Sequence, residues 1–168
     1  EENITKFKSQ KIFHKFSLYP KEISAGTVSC TGNSYCGFAL TNTKDTALEI
    51  TKALENELNL NKELKIHWTG CPNSCGQAYM GAIGLTGKKA KNAEGKTVEA
   101  YDISIGGSQG KNHKIASLKY KSISKDNLKD QLKEILIEEY GAKEHKRETK
   151  GFKLINWFTS TKKRINSS

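Results

Sequence analysis

Arginine is almost missing from this chain. Lys and Arg together number 28, yet Arg147 and Arg164 are the only arginines. Base readout and stacking on nucleic acid rely on arginine and on clustered aromatics. Neither stands out, so no nucleic-acid partner is expected. No apolar run approaches the roughly 20 residues that span a bilayer, so no membrane span is expected either. Residues 1–13 are polar and lysine-rich and lack the apolar segment of a secretory signal. Internal repeats and low-complexity tracts are absent. Met80 is the only methionine and residue 1 is Glu. Taken with the motifs below, that start predicts the C-terminal piece of a longer protein.

What is present is lysine. The 168 residues carry a formal net charge of +10, which steers acidic partners toward the surface. An AT-rich genome would enrich Lys, Asn and Ile in the same way. The length suits one domain with a core, or one domain plus tails.

Residues 1–23 are basic and weakly patterned, and read as the end of a preceding element leading into a linker. Residues 24–42 hold a first cysteine loop. Residues 43–59 read as a helix, with Thr43 or Asn42 as cap, Asp45 in the first turn, and Ala47, Ile50, Leu54 and Leu58 as one apolar stripe. Residues 64–68 read as a short strand feeding a second cysteine loop. Residues 87–96 read as a polar connection turning at Asn92–Gly95, and Thr97–Ile105 as a strand that runs into Gly106 and Gly107. Residues 125–140 read as a second helix, capped by Ser124, with Leu128, Leu132, Ile135 and Leu136 buried and Gly141 as its stop. The end of the chain is charged, with an aromatic island at Phe152, Trp157 and Phe158.

All the cysteines sit in two loops, CTGNSYCGFA (30–39) and HWTGCPNSCGQ (67–77). Disulfides require an oxidising compartment, which nothing here marks. Zinc knuckles usually pair cysteines as C-x2–4-C; the C-x3-C of Cys71 and Cys75 fits loosely and the C-x5-C of Cys30 and Cys36 does not. Buried unliganded thiols normally sit among Val, Ile and Leu, whereas these sit among Gly, Thr, Asn, Ser and Pro. Thiolates from two such loops can also cage a [4Fe–4S] cube, with backbone and side-chain donors tuning the sulfurs. The spacing favours the cluster and leaves zinc open.

These loops, with GKTVEAYDISIGG and EEYGA in the same order, resemble the siroheme and [4Fe–4S] domain of the nitrite and sulfite reductases, specifically the ferredoxin-dependent nitrite reductases. The resemblance covers roughly Phe16 to Glu148. It implies an α+β fold, a mixed sheet with packed helices. It implies that Cys30, Cys36, Cys71 and Cys75 ligate the cube. Cys75 would also be the axial ligand of the siroheme iron and thereby the catalytic residue of this chain. Asn73 and Gln77 would line the macrocycle. Thr31 and Asn33 would support the first loop and could also hydrogen-bond siroheme carboxylates, and Gly106 and Gly107 would let the backbone pass close to the cofactor.

The implied activity is assimilatory six-electron reduction of nitrite to ammonium, with reduced ferredoxin as donor, in a cytoplasm or plastid stroma. The missing N-terminal half would supply the cationic groups that bind the anion. The domains implied are a stub of a ferredoxin-like half-domain with its linker at 1–22, the siroheme and cluster domain at 23–148, and a basic tail at 149–168. CGQAYM, with Gln77 and no arginine, favours nitrite over a sulfite reductase domain. An iron–sulfur electron-transfer module without siroheme is the other alternative. Phe38 stands where many relatives carry glutamine. Ser108 stands where a basic residue is common, which puts one siroheme carboxylate contact in question.

Overall fold

The structure, a computed structural model, describes residues 2–14 and 18–145. The aromatic island and the tail at 149–168 lie outside the described residues. In chain order the elements are α1 (Glu2–Lys8), a 3-10 turn (Lys11–His14), α2 (Glu22–Gly26), β1 (Thr27–Ser29), α3 (Lys44–Glu57), β2 (Leu58–Asn59), β3 (Ile66–Thr69), a 3-10 turn (Ala78–Met80), β4 (Ile83–Lys91), β5 (Thr97–Ile105), β6 (Ser117–Ser124), α4 (Lys125–Glu138) and β7 (Lys143–Glu144).

The main sheet has the order β1-β3-β4-β5-β6. β1, β3 and β4 run parallel, while β4-β5 and β5-β6 are antiparallel. It is the mixed sheet with packed helices that the sequence implies. Side chains alternate across a strand. One face therefore carries Ile66, Trp68, Ile83, Leu85, Tyr101, Ile103 and Ile105, joined in a single core with Ala47, Ile50 and Leu54 of α3 and Leu128, Leu132, Ile135 and Leu136 of α4. Trp68 and Tyr101 meet edge to face, with centroids 5.7 Å apart. The apolar stripes of both helices are thus spent on packing, as their periodicity predicts.

Several boundaries differ from the sequence reading. Residues 24–42 are not all loop: β-branched Thr27 and Val28 enter a strand paired with Ile66 and His67. Residues 87–91 belong to β4, not to a polar connection. Their lysines are tolerated because they pair across the strands, Lys88 with Asp102 at 3.2 Å and Lys89 with Glu99 at 3.7 Å. The turn itself is at Asn92–Lys96, where Asn92 Oδ1 accepts from Lys96 N at 2.8 Å. At α3, Asn42 Oδ1 accepts from Asp45 N at 3.2 Å, so Asn42 caps the helix and the Thr43 side chain does not. Ser124 stands at the N-cap of α4 without a side-chain cap bond. Gly141, at φ +69°, ends α4 as expected, with Ala142 N donating back to Leu136 O at 2.9 Å.

The ends of α3 and α4 are tied together. β2 and β7 pair antiparallel. Glu57 takes Lys129 at 2.8 Å and Lys133 at 2.9 Å, and Lys133 also reaches Glu144 at 2.7 Å. His145 bonds Asn59 Nδ2 through Nδ1 at 3.3 Å and the Glu55 carbonyl through Nε2 at 3.2 Å. The hydrogen bonds from Lys129 and then Lys133 hold the Glu57 carboxyl at about 2, against an ordinary value of 4.5. A carboxylate depressed in this way stabilises the fold above its ordinary value and loses that contribution as the pH falls through about 2. Glu57→Gln is therefore expected to lower the urea midpoint near neutral pH. The gap from wild type should close as the pH is taken from 4.5 toward 2; a gap that stays constant over that window contradicts the assignment.

Candidate iron–sulfur site

Both cysteine loops leave the same end of the sheet. β1 and β3 are parallel neighbours with Ser29 opposite Trp68, so the chain exits β1 at Cys30 and β3 at Gly70–Cys71, side by side. Cys30 N donates to Trp68 O at 3.0 Å, extending the ladder by one bond into the first loop. Leu40 N returns to Gly70 O at 2.7 Å, so the first loop crosses the second before α3 begins.

The first loop is a compact turn. Cys36 N bonds Gly32 O at 3.0 Å and Asn33 N bonds Thr41 O at 3.0 Å. Its outer side is fastened to β5: Glu99 accepts from Asn33 Nδ2 at 2.8 Å and from Asn42 N at 3.2 Å. Tyr101 Oη donates to Asn42 O at 3.0 Å. The Asn33 amide is thus engaged by Glu99, which ties the first loop to β5. Thr31 is exposed and has no side-chain hydrogen bond among the described residues.

The second loop is the crossover from β3 to parallel β4, and it carries no α-helix, only the 3-10 turn at Ala78–Met80. It lies flush on the sheet instead. A Cβ on Gly76 would meet Trp68 O at 2.1 Å and Cys30 N at 3.4 Å; one on Gly84 would meet Ala78 O at 1.9 Å. His67 and Thr69 point to the face opposite the core. His67 is 3% exposed, its Nδ1 bonds Gln77 O at 3.1 Å, and its ring lies under Gly81. Gln77 itself adopts a left-handed conformation, φ +54°. His67 thus supports the turn after Cys75.

The sulfurs differ in surroundings. Cys71 is buried, Cys30 and Cys36 are half-buried and Cys75 is exposed; none is disulfide-bonded. Gly70 N donates to Cys30 Sγ at 3.2 Å, so the second loop already hydrogen-bonds a sulfur of the first. Burial pushes the Cys30 thiol up. The Thr43 hydroxyl, the Gly70 and Gly32 amides and Thr69 outweigh it and leave the thiol below its ordinary value, toward the thiolate that binds metal. Asn73 and Gln77 are exposed beside Cys75. Gly107 is buried, its backbone against Gly81 O and Tyr79 O, whereas a Cβ on Gly106 would meet nothing within 4 Å. The turn that starts at Gly106 is tied to the second loop by Ala116 N donating to Tyr79 O at 2.9 Å.

The interlocked loops, the amide-to-sulfur bond and the side-chain-free glycine surface bring Cys30 against the second loop, an arrangement that fits a group held between the two loops.

A family profile described as the nitrite and sulphite reductase 4Fe-4S domain matches residues 24–157. The chain belongs to this family. Among members of known activity, it is 43% identical over 134 residues to the ferredoxin–nitrite reductase of Synechococcus elongatus, covering 80% of this chain and 26% of that protein. It is 40% identical over 147 residues to the chloroplastic ferredoxin–nitrite reductase of Oryza sativa subsp. japonica, covering 88% of this chain and 25% of that protein. The chain thus spans about a quarter of the length of these relatives. The NirA protein of Mycobacterium tuberculosis superposes with a TM-score of 0.67 over 74% of this chain and 24% of that one, at 22% identity, and so shares the fold.

Thr43, Gly70, Gly76, Glu99 and Tyr101 are site-forming residues that the sequence does not single out. The Thr-Asn-Thr run at 41–43 carries a signal, but it reads as helix-capping chemistry. Gly76→Ala is expected to lift the second loop off β3 and destabilise the apoprotein by about 1–3 kcal/mol. Gly37→Ala, with nothing within 4 Å of an added Cβ, should change stability by less than about 0.5 kcal/mol. Equal thermal melts for the two variants would rule out the flush contact.

Proposed function

We propose that this chain is the cluster-bearing C-terminal part of an assimilatory ferredoxin-dependent nitrite reductase, residues 23–148 forming the siroheme and cluster domain. The observation that carries this reading is the interlock of the two cysteine loops, with Gly70 N on Cys30 Sγ at 3.2 Å, in a member of the nitrite and sulphite reductase family.

In this reading Cys30, Cys36, Cys71 and Cys75 hold a [4Fe–4S] cluster. Cys75 is the exposed one, which suits a sulfur shared with a siroheme iron. Asn73 and Gln77, exposed on either side of it in the chain, line the macrocycle, and Gly106 leaves room for it. Bound together, cluster and siroheme supply the one-electron chemistry that takes nitrite to ammonium with six electrons. The chain's own part is to fix the sulfurs, to bring Cys75 to the cofactor, and to keep the two loops at one separation while charge changes. Asn33 contributes by tying the first loop to Glu99 of β5, and exposed Thr31 is left to reach a siroheme carboxylate.

Nitrite is favoured over sulfite because Gln77 follows Cys75 where the sulfite branch commonly has an arginine nearby. The net charge of +10 suits an acidic donor such as reduced ferredoxin, acting on the encounter rate more than on affinity. Cations that bind nitrite on the far side of the haem have no motif here, and the remainder of a longer enzyme is expected to bring them. Among the described residues no helix is long and apolar enough to cross a membrane; cyanobacterial and chloroplastic relatives make the cytoplasm or plastid stroma the expected site of action.

The test is the visible spectrum, with iron and acid-labile sulfide counts, of the protein purified without oxygen from cells that make siroheme. Cluster iron and sulfide in the ratio of a cube, with haem bands that shift on adding nitrite, are expected. A cube without haem bands would point to an electron-transfer module. Zinc, or no metal, would overturn the reading.

A further inference from the structure

Thr43 has more contacts with the first cysteine than any role as a helix cap requires. It is fully buried, at 0% exposure. Its hydroxyl donates to Cys30 O at 2.7 Å and lies 3.6 Å from Cys30 Sγ. A Cβ on Gly32 would meet Thr43 N at 2.7 Å and Thr43 Oγ1 at 2.8 Å, so the first loop is wrapped directly on this residue. A Cβ on Gly70 would come within 3.5 Å of the Thr43 methyl, so the same side chain borders the second loop. Capping of α3 falls to Asn42, which leaves the Thr43 hydroxyl free for this work.

We propose that Thr43 is a positioning residue for the cluster: its hydroxyl fixes the Cys30 carbonyl and also polarises the Cys30 sulfur. The proposal rests on the reading of Cys30 as a cluster ligand. A hydroxyl has one proton and two lone pairs. At 2.7 Å the hydroxyl proton is directed at the Cys30 carbonyl oxygen, and a protonated Cys30 can donate its S–H to Thr43 Oγ1. Once Cys30 is a thiolate it is an acceptor only, already served by Gly70 N–H at 3.2 Å. The hydroxyl proton then has two competing acceptors, the carbonyl and the sulfur, and rotation about one bond exchanges them. A donor aimed at a cluster sulfur stabilises negative charge, and the reduced cluster carries more of it. The hydroxyl therefore raises the reduction potential. Thr43 couples the shape of the first loop to the potential of the centre that the loop holds.

The experiment compares wild type, Thr43→Val and Thr43→Ser as cluster-loaded holoprotein. Iron and labile sulfide are counted first, and the midpoint potential is then taken from a redox titration followed by electron paramagnetic resonance. Valine keeps the shape and removes the hydroxyl, so its potential is expected to move to a more negative value. Serine keeps the hydroxyl and is expected to titrate with the wild type. A valine variant with full iron and the wild-type potential overturns the proposal. If valine does not retain the cluster, serine decides: a wild-type potential supports the hydroxyl, and a shifted one means that the methyl contact with Gly70 is what matters. A wild type without cluster iron fails the underlying reading itself, and that outcome is seen before any variant is compared.

Discussion

Cys30 N donates to Trp68 O at 3.0 Å, one step beyond the parallel pairing of β1 with β3, and the candidate site depends on that bond. Parallel neighbours end on the same side of a sheet. Two loops far apart in sequence are thereby delivered to one place, with their backbones already in register. In open α/β sheets the carboxyl ends of the strands are a general location for ligands. Here two adjacent exits are filled by cysteine loops. The large side chains of α3 and α4 hold the sheet from its other face, so the loops are free of any duty in the core.

The return from β3 to β4 is the unusual part of the fold. A parallel connection normally carries a helix that covers the sheet. Residues 70–82 make the journey as a thin layer, with Gly76, Gly81 and Gly84 allowing backbone to lie on backbone. Thinness leaves Cys75, Asn73 and Gln77 on the outside, where a second group can approach, while Cys71 stays buried. Conformational freedom is not what Gly76 provides. Its value is the absence of a Cβ that would sit 2.1 Å from Trp68 O.

Polarity is concentrated at the first loop. Glu99 and Tyr101 of β5, Thr43 before α3 and Gly70 of the second loop come from three different segments, and each satisfies a group on the loop that carries Cys30. Buried polar groups without partners are costly, so the loop is held by many bonds of modest strength. Such a scaffold holds the loop in one shape. The strap at the opposite end, where Glu57 links α3 to α4 and β7, does a separate job in keeping the two helices in step.

The sequence by itself determined the chemistry: four thiols in two small-residue loops, two amphipathic helices, the strand that ends at Ile105, the glycine stop after α4 and the family. Those features are local, since periodicity, caps and ligand spacing are written in neighbouring residues. Only the tertiary structure decided what joins the loops. Thr43 reads as a cap and acts on Cys30; Gly76 reads as a loop residue and is a contact surface; the lysines at 88–91 read as a connection and form a strand. Partners for Thr43, Gly76 and Lys88 lie 13, 8 and 14 residues away. Which of many distant groups meets a hydroxyl or an ammonium depends on strand order and register, and those are set by burying the whole core at once.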